Sequence, residues 1–164
     1  FYMKKIIILS IIFSVNFIFS EEKKLELSML RGGMFLSTMG YDGICISPMI
    51  DFYTSNNIKF YFGCDLAIGP GFLFYGSFGT GKEYYFRNKQ FSIETIFLIN
   101  LGTYYAGSID DNKLYGLQAI SRLNFLPVES CKIFIESGIE FDFFSSAQVL
   151  IPLLPIRIGM TFRF

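Results

Sequence analysis

The sequence predicts an all-β fold, a transmembrane antiparallel up-and-down β-barrel of eight strands, and three observations predict it. Apolar residues make up 52% of the 164 positions, 19% are aromatic, and the mean hydropathy is +0.44. Yet no internal segment reaches the roughly 18 to 20 unbroken apolar residues of a membrane helix. Segments of strand length alternate apolar and polar residues with a period of two, which gives each strand two chemically different faces. Turn residues recur between these segments, and no convincing helical pattern intervenes. The length fits one domain.

The N-terminus reads as a separate object. Met3-Lys4-Lys5 is a short basic start, and residues 6–19 form an apolar run broken by Ser10, Ser14 and Asn16. Ser20 then precedes Glu21-Glu22-Lys23-Lys24. This is the layout of a secretory signal peptide over 1–20, with the barrel following over 21–164. Phe1-Tyr2 precede the start methionine and read as an artefact. An uncleaved membrane anchor is the alternative, and the shortness of the run weighs against it. No cysteine follows the cut, which argues against a lipoprotein. Losing Lys4 and Lys5 leaves the mature chain two charges negative, without the basic patch that a nucleic-acid partner requires.

The expected strands are 25–38, 44–54, 58–69, 71–87, 89–106, 114–126, 132–144 and 155–164. Tyr41-Asp42-Gly43, Ser55-Asn56-Asn57, Gly69-Pro70-Gly71, Ile109-Asp110-Asp111-Asn112 and 127–130 punctuate them. Gly32-Gly33 is the expected bulge of the first strand, because the apolar parity shifts near Met29-Leu30. The fourth strand is rich in glycine, so 76–90 also reads as a long loop. Cys45 and Cys64 fall on opposite faces and Cys131 in a turn, so no pair is placed for a bridge.

Four segments alternate cleanly. One face carries Ile44, Ile46, Ile50 and Phe52, then Ile58, Phe60, Phe62, Leu66 and Ile68. It continues with Ile133, Ile135, Ile139, Phe141 and Phe143, then Ile156, Ile158, Met160, Phe162 and Phe164. The other face carries Asp51, Lys59, Asp65, Glu136, Glu140, Asp142, Arg157 and Arg163. Alternation alone does not say which face is inside. A soluble barrel or sandwich would bury the apolar face, and a membrane barrel does the reverse. Bulk favours the reverse, because an eight-stranded barrel is just wide enough to be filled by side chains. A Phe or Ile at nearly every inward position would overfill it. Segments of ten or so residues also suit a bilayer, which takes about 9–11 per strand.

With that pattern, and with the final segment IRIGMTFRF, the chain resembles a small eight-stranded bacterial outer-membrane β-barrel. The resemblance covers the mature chain in pattern and rests on no unique motif. It implies insertion in the lipid bilayer of the bacterial outer membrane after export. It also implies an assembly signal in Ile158, Met160, Phe162 and Phe164, read by the barrel-assembly machinery.

If the polar face is luminal, its charges must pair, because an isolated buried charge is prohibitively costly. A last hairpin turning around 149–150 would set Glu136 opposite Arg163 and Asp142 opposite Arg157. A tighter turn at Ser146-Ala147 would set Glu136 opposite Arg157 instead, and a turn centred on 129 sets Arg122 opposite Glu136. The expectation is a luminal charge network of Arg122, Glu136, Glu140, Asp142, Arg157 and Arg163 that fills and stiffens the barrel. A conducting polar path and a catalytic carboxylate pair are the alternatives.

Several motifs lead nowhere. Residues 76–82 have the spacing of a phosphate-binding loop, but Glu83 replaces the required Ser/Thr and a strand pattern follows. There is no histidine, which removes Ser-His-Asp and Cys-His catalysis and ordinary histidine-containing zinc sites. Asp110-Asp111-Asn112 has calcium-compatible oxygens but reads equally as a solvated turn. No catalytic, cofactor-binding or metal residue is therefore assigned, and no cofactor is expected. Val149, Leu150, Ile151, Leu153 and Leu154 are apolar where a loop is expected. They are either a surface contact for an extracellular ligand or host surface, or an extension of the neighbouring strands. Tyr104 and Tyr105 suit an interfacial girdle. The expected function is non-enzymatic, in membrane structure or surface interaction. A narrow porin-like channel and a soluble secreted β-domain are the alternatives.

Overall fold

A computed structural model describes residues 25–37, 42–53, 57–69, 71–105, 112–144 and 149–164. The signal peptide read from 1–20 lies outside them, as do Tyr41, Ser55, Asn56, Pro70, Ile109, Asp110, Asp111, Ser146 and Ala147 of the expected turns. Nine strands follow one another: β1 (Leu25–Ser37), β2 (Gly43–Ile46), β3 (Met49–Tyr53), β4 (Ile58–Ile68), β5 (Phe72–Tyr85), β6 (Phe91–Tyr105), β7 (Asn112–Val128), β8 (Cys131–Phe144) and β9 (Val149–Arg163). Every pairing is antiparallel, and β9 pairs back onto β1. The sheet is thus closed and has no free edge.

β2 and β3 both lie between β1 and β4, so they are two halves of one barrel strand, and the barrel has eight. The break falls at Ser47-Pro48. Proline has no N–H to give a ladder, so it belongs where pairing lapses. Here its carbonyl accepts from the Cys64 amide at 3.1 Å, while the Ser47 amide donates to the Arg31 carbonyl at 2.7 Å.

Two expectations about the strands change, and the alternative of a loop at 76–90 gives way to the expected fourth strand. The irregularity in β1 falls between Leu27 and Leu30, while Gly32 and Gly33 pair regularly with Ile158 and Arg157. The glycines serve close approach instead, since a Cβ on Gly33 would sit 2.0 Å from the Ile156 carbonyl oxygen. Residues 76–85 are strand, not loop. Gly79 and Gly81 are needed there because a Cβ would meet the carbonyls of Phe97 and Thr95 at 1.9 and 2.3 Å. The last strand begins at Val149, not 155, and its hairpin takes the tighter register, with Glu136 opposite Arg157.

The two faces separate as the alternation requires. Leu30, Ile44, Ile46, Phe97, Leu117 and Ile158 point outward and are 61–65% exposed, whereas inward Glu26, Asp51, Lys59, Asp65, Glu94 and Asp142 are 0% exposed. Both ends of the barrel sequence lie at one rim, where the Phe164 amide donates to the Leu25 carbonyl at 2.9 Å. This terminal rim carries the aromatic group of Tyr84, Tyr85, Phe86, Phe91 and Phe125, with the Phe91 and Phe125 rings 5.1 Å apart. Phe72 and Tyr105 pair at the opposite, loop rim, 6.4 Å apart. Cys45, Cys64 and Cys131 are free thiols.

Candidate functional site

The inward positions form stacked layers across the barrel. In the middle layer Glu136, from β8, receives three arginines from three other strands. Arg31 of β1 donates from Nε at 2.8 Å and lies 2.7 Å away through Nη2. Arg122 of β7 donates from Nε at 2.8 Å, and Arg157 of β9 from Nη1 at 3.5 Å. Surplus positive charge is met by other carboxylates. Arg122 Nη1 reaches Glu94 at 3.3 Å and Asp51 at 3.6 Å, and Arg157 Nη2 reaches Asp65 at 3.3 Å. Asp65 also accepts from the Ser47 and Ser77 hydroxyls. The Arg122 guanidinium lies over the Phe134 ring, 4.2 Å from its centre, a favourable cation–π placement.

Toward the terminal rim, two lysines and an arginine knit three glutamates. Lys59 Nζ is 2.9 Å from Glu26, 3.1 Å from Glu83 and 2.5 Å from Glu94. Lys132 Nζ stands 2.9 Å from Glu26 and 2.8 Å from Glu83. Arg163 closes the layer, 2.9 Å from Glu26 and donating to the Tyr85 hydroxyl at 3.1 Å. Ser92 and Asn124 complete the bonding of Glu83. Against one wall of these layers lie Met49, Tyr61, Ile96, Leu98 and Ile120, which fill the remaining cross-section with apolar bulk.

Toward the loop rim the chemistry changes. Glu140 accepts from Asn100 Nδ2 at 2.5 Å and Gln118 Nε2 at 2.6 Å, with the Tyr75 hydroxyl at 3.4 Å. Arg157 Nη2 stands 3.9 Å from it. Asp142, on the same face of β8, is fully buried beside Glu140, and the two carboxyl groups share a hydrogen bond. Above it Phe35, Leu73, Leu114, Phe144, Ile151 and Leu153 form an apolar lid with Tyr104, whose ring meets Phe144 edge-on at 5.3 Å. A cavity of about 20 Å³, lined by Asp142 and lid residues, lies at this level. That is room for one water-sized particle.

Of the six residues read as a network, the structure brings Arg122, Glu136 and Arg157 into one cluster and sets Glu140 at its edge. Asp142 lies beyond it, and Arg163 belongs to the terminal layer with Glu26 rather than to Glu136. Arg31, Glu26, Glu83, Glu94 and Lys132 were missed. For Arg31 the β-bulge moves the residue to the inward face, and a parity count taken from Leu25 through the shift puts it on the wrong one. Ile151 and Leu153 are not a surface contact, because as alternate residues of β9 they point inward into the lid, while Leu150 and Leu154 point out. Val149 begins β9. Ile158, Met160, Phe162 and Phe164 share the outward face of the closing strand, as the alternation places them. Among the described residues no three His, Cys, Asp or Glu side chains gather as a metal site.

No family model and no curated protein matches the chain. Solved structures do. Neisserial surface protein A superposes with a TM-score of 0.61 at 11% identity, over 87% of this chain and 97% of that one. The N-terminal β-barrel domain of Pseudomonas aeruginosa OprF gives 0.57 at 7% identity, over 86% and 97%. The attachment invasion locus protein of Yersinia pestis, in complex with a heparin analogue, gives 0.54 at 11%, over 88% and 100%. At these identities the likeness is one of fold: the closed eight-stranded barrel of outer-membrane proteins.

Proposed function

We propose that the chain is an integral β-barrel of the bacterial outer membrane. In this reading it is closed to solutes along its axis and serves membrane structure or surface interaction rather than catalysis. The reversal of faces carries the reading. A continuous outward belt of Leu, Ile and Phe is unsuited to water, while the arginines and carboxylates are turned inward and paired, the arrangement a bilayer selects. Strands of 11 residues in β4 and 17 in β7 are long enough to cross it. Supporting closure, Arg31, Arg122 and Arg157 in the middle layer are at most 2% exposed. The lipid bilayer is thus the principal partner, and the outward row Ile158, Met160 and Phe162 of β9 is the surface the barrel-assembly machinery would read. Surface interaction would run through the loop rim, where β1, β4, β6 and β8 end.

The test is a refolding experiment in detergent, read on a gel with and without boiling and by circular dichroism, followed by planar-bilayer recording. The expected result is a faster-migrating unboiled band, a β-rich spectrum and no unitary conductance. Protein that folds and stays dissolved without detergent would reverse the assignment of faces. Stepwise conductance would overturn the closed lumen and favour a narrow channel.

A further inference from the structure

We infer that the outer wall of the barrel at the β5–β6 hairpin binds one anionic phospholipid. Its phosphate lies at Lys82, Arg87 and Lys89, and an acyl chain fills a groove across β5–β8. The inference rests on the membrane reading above and names the lipid that one part of the wall selects.

Charge is the starting point. Residues 82–91, KEYYFRNKQF, carry three cations, and their one acid, Glu83, points inward to Lys59 and Lys132. Lys82, Arg87 and Lys89 are all exposed. Lys82 lies on the outward face of β5, its ammonium 5.4 Å from the centre of the Tyr84 ring. Arg87 and Lys89 stand on a turn that the barrel holds in place. The Lys89 amide donates to the Phe86 carbonyl at 2.9 Å, and the Leu126 amide of β7 to the Gln90 carbonyl at 2.8 Å. Lys89 holds φ at 55°, a conformation that glycine or asparagine adopts at less cost. Among the described residues, one exposed acidic side chain stands at this rim against the three cations, Glu129 of the next turn.

What lies beyond Lys82 follows the order of parts in a phospholipid. The registers set Lys82 beside Thr95, Thr95 beside Ser121 and Ser121 beside Ser137. This outward row offers hydroxyl donors for phosphate and ester oxygens in a wall otherwise rich in Leu, Ile and Phe. One row further from the rim come Thr80, Phe97, Ala119 and Ile139, and there a groove of about 480 Å³ opens. Thr80 spends its hydroxyl on the Lys59 carbonyl at 3.0 Å, and Ala119 keeps the floor low between Phe97, Leu117 and Ile139. Phosphate, ester and hydrocarbon thus meet cation, hydroxyl and groove in succession.

The same charge decides the class of lipid. A zwitterionic headgroup carries its own cation, whereas a net negative one leaves its phosphate to the protein. The terminal rim has the short turns 86–90 and 129–130, which outer-membrane barrels place on the periplasmic side. The ligand is therefore a glycerophospholipid.

The experiment uses the chain refolded in an uncharged detergent. Heat-modifiable migration shows first whether the barrel has formed, so a chain without a folded band fails the membrane reading and not the lipid site alone. Phosphatidylglycerol is the probe and phosphatidylcholine the reference, with bound lipid counted by native mass spectrometry. One phosphatidylglycerol per chain is expected, bound at least about tenfold more tightly than phosphatidylcholine. At a hundredfold excess over Kd it should raise the melting temperature by about 5–10 °C. The combined variant Lys82→Gln, Arg87→Gln and Lys89→Gln should lose the preference. Ala119→Phe, which fills the groove, should weaken retention at least about tenfold. Lys113→Gln removes an exposed lysine of β7 near the loop rim and should change nothing. Equal retention of the two lipids by folded wild type, or a preference that survives in the triple variant, would overturn the site. So would unchanged retention in Ala119→Phe, or a preference lost equally in Lys113→Gln.

Discussion

Glu136→Ala is expected to lower the stability of the folded barrel by about 3–5 kcal/mol, the usual consequence of breaking a buried ion pair from one side. The reason is the asymmetry of the cluster. One carboxylate faces Arg31, Arg122 and Arg157, so its removal leaves three guanidinium groups, each at most 2% exposed, short of a counter-charge. Asp51, Asp65 and Glu94 remain, but each already serves an arginine or lysine at 2.5–3.9 Å. The check is the boiling temperature at which the folded band disappears, together with equilibrium unfolding in guanidinium. Glu136→Gln, which keeps the shape and loses the charge, should fall between alanine and wild type. An unchanged transition for Glu136→Ala would mean that the arginines find adequate partners without it.

The second large effect is expected on the outside. Phe97 sits near the middle of β6, 61% exposed, between Thr80 and Ala119. Phe97→Arg should destabilise the barrel in lipid vesicles by about 2–4 kcal/mol, the penalty for arginine at the bilayer midplane. Tyr105→Arg, at the loop rim, should lose about 1 kcal/mol or less, because the penalty falls toward the interface. On a water-facing surface neither change would matter, so a neutral Phe97→Arg in vesicles would reverse the reading of the faces. The pair separates depth from mere charge.

Much of this was legible in the sequence, and the reason is periodicity. β4, β8 and residues 156–163 of β9 alternate, so their inward and outward residues could be read from the sequence, and the bulk argument chose the orientation; residues 149–155 are apolar on both faces and gave no such signal. The pairing of Arg122 with Glu136 was also within reach, because a short hairpin fixes which residues face each other. Legibility fails where local signals mislead. Glycines in β5 look like loop residues, although they are there to let backbones approach across the barrel. The bulge at Ser28-Met29 reverses the parity of β1 and hides Arg31. The wider failure is one of distance. Hairpin registers reach only strands adjacent in sequence, while Lys132–Glu26 and Arg157–Asp65 join strands remote along the chain. Asn100 and Gln118 carried no signal at all. Their importance arises only once both amides are seen to turn toward Glu140.

The pairing of Arg31 with Glu136 spans 105 residues, and that of Arg163 with Glu26 spans 137. Such contacts do not exist in any single hairpin, and they come into being only when β9 meets β1. Until that seam zips, Arg31 lacks Glu136 and Glu26 lacks Lys132 and Arg163, and an open sheet in lipid would hold these bare ions against hydrocarbon. Intermediate states therefore sit high in free energy, and the seam and the ion pairs rise and fall together. The lumen acts as a latch on cooperativity: assembly is all-or-none because a half-closed barrel has nowhere to put its charges.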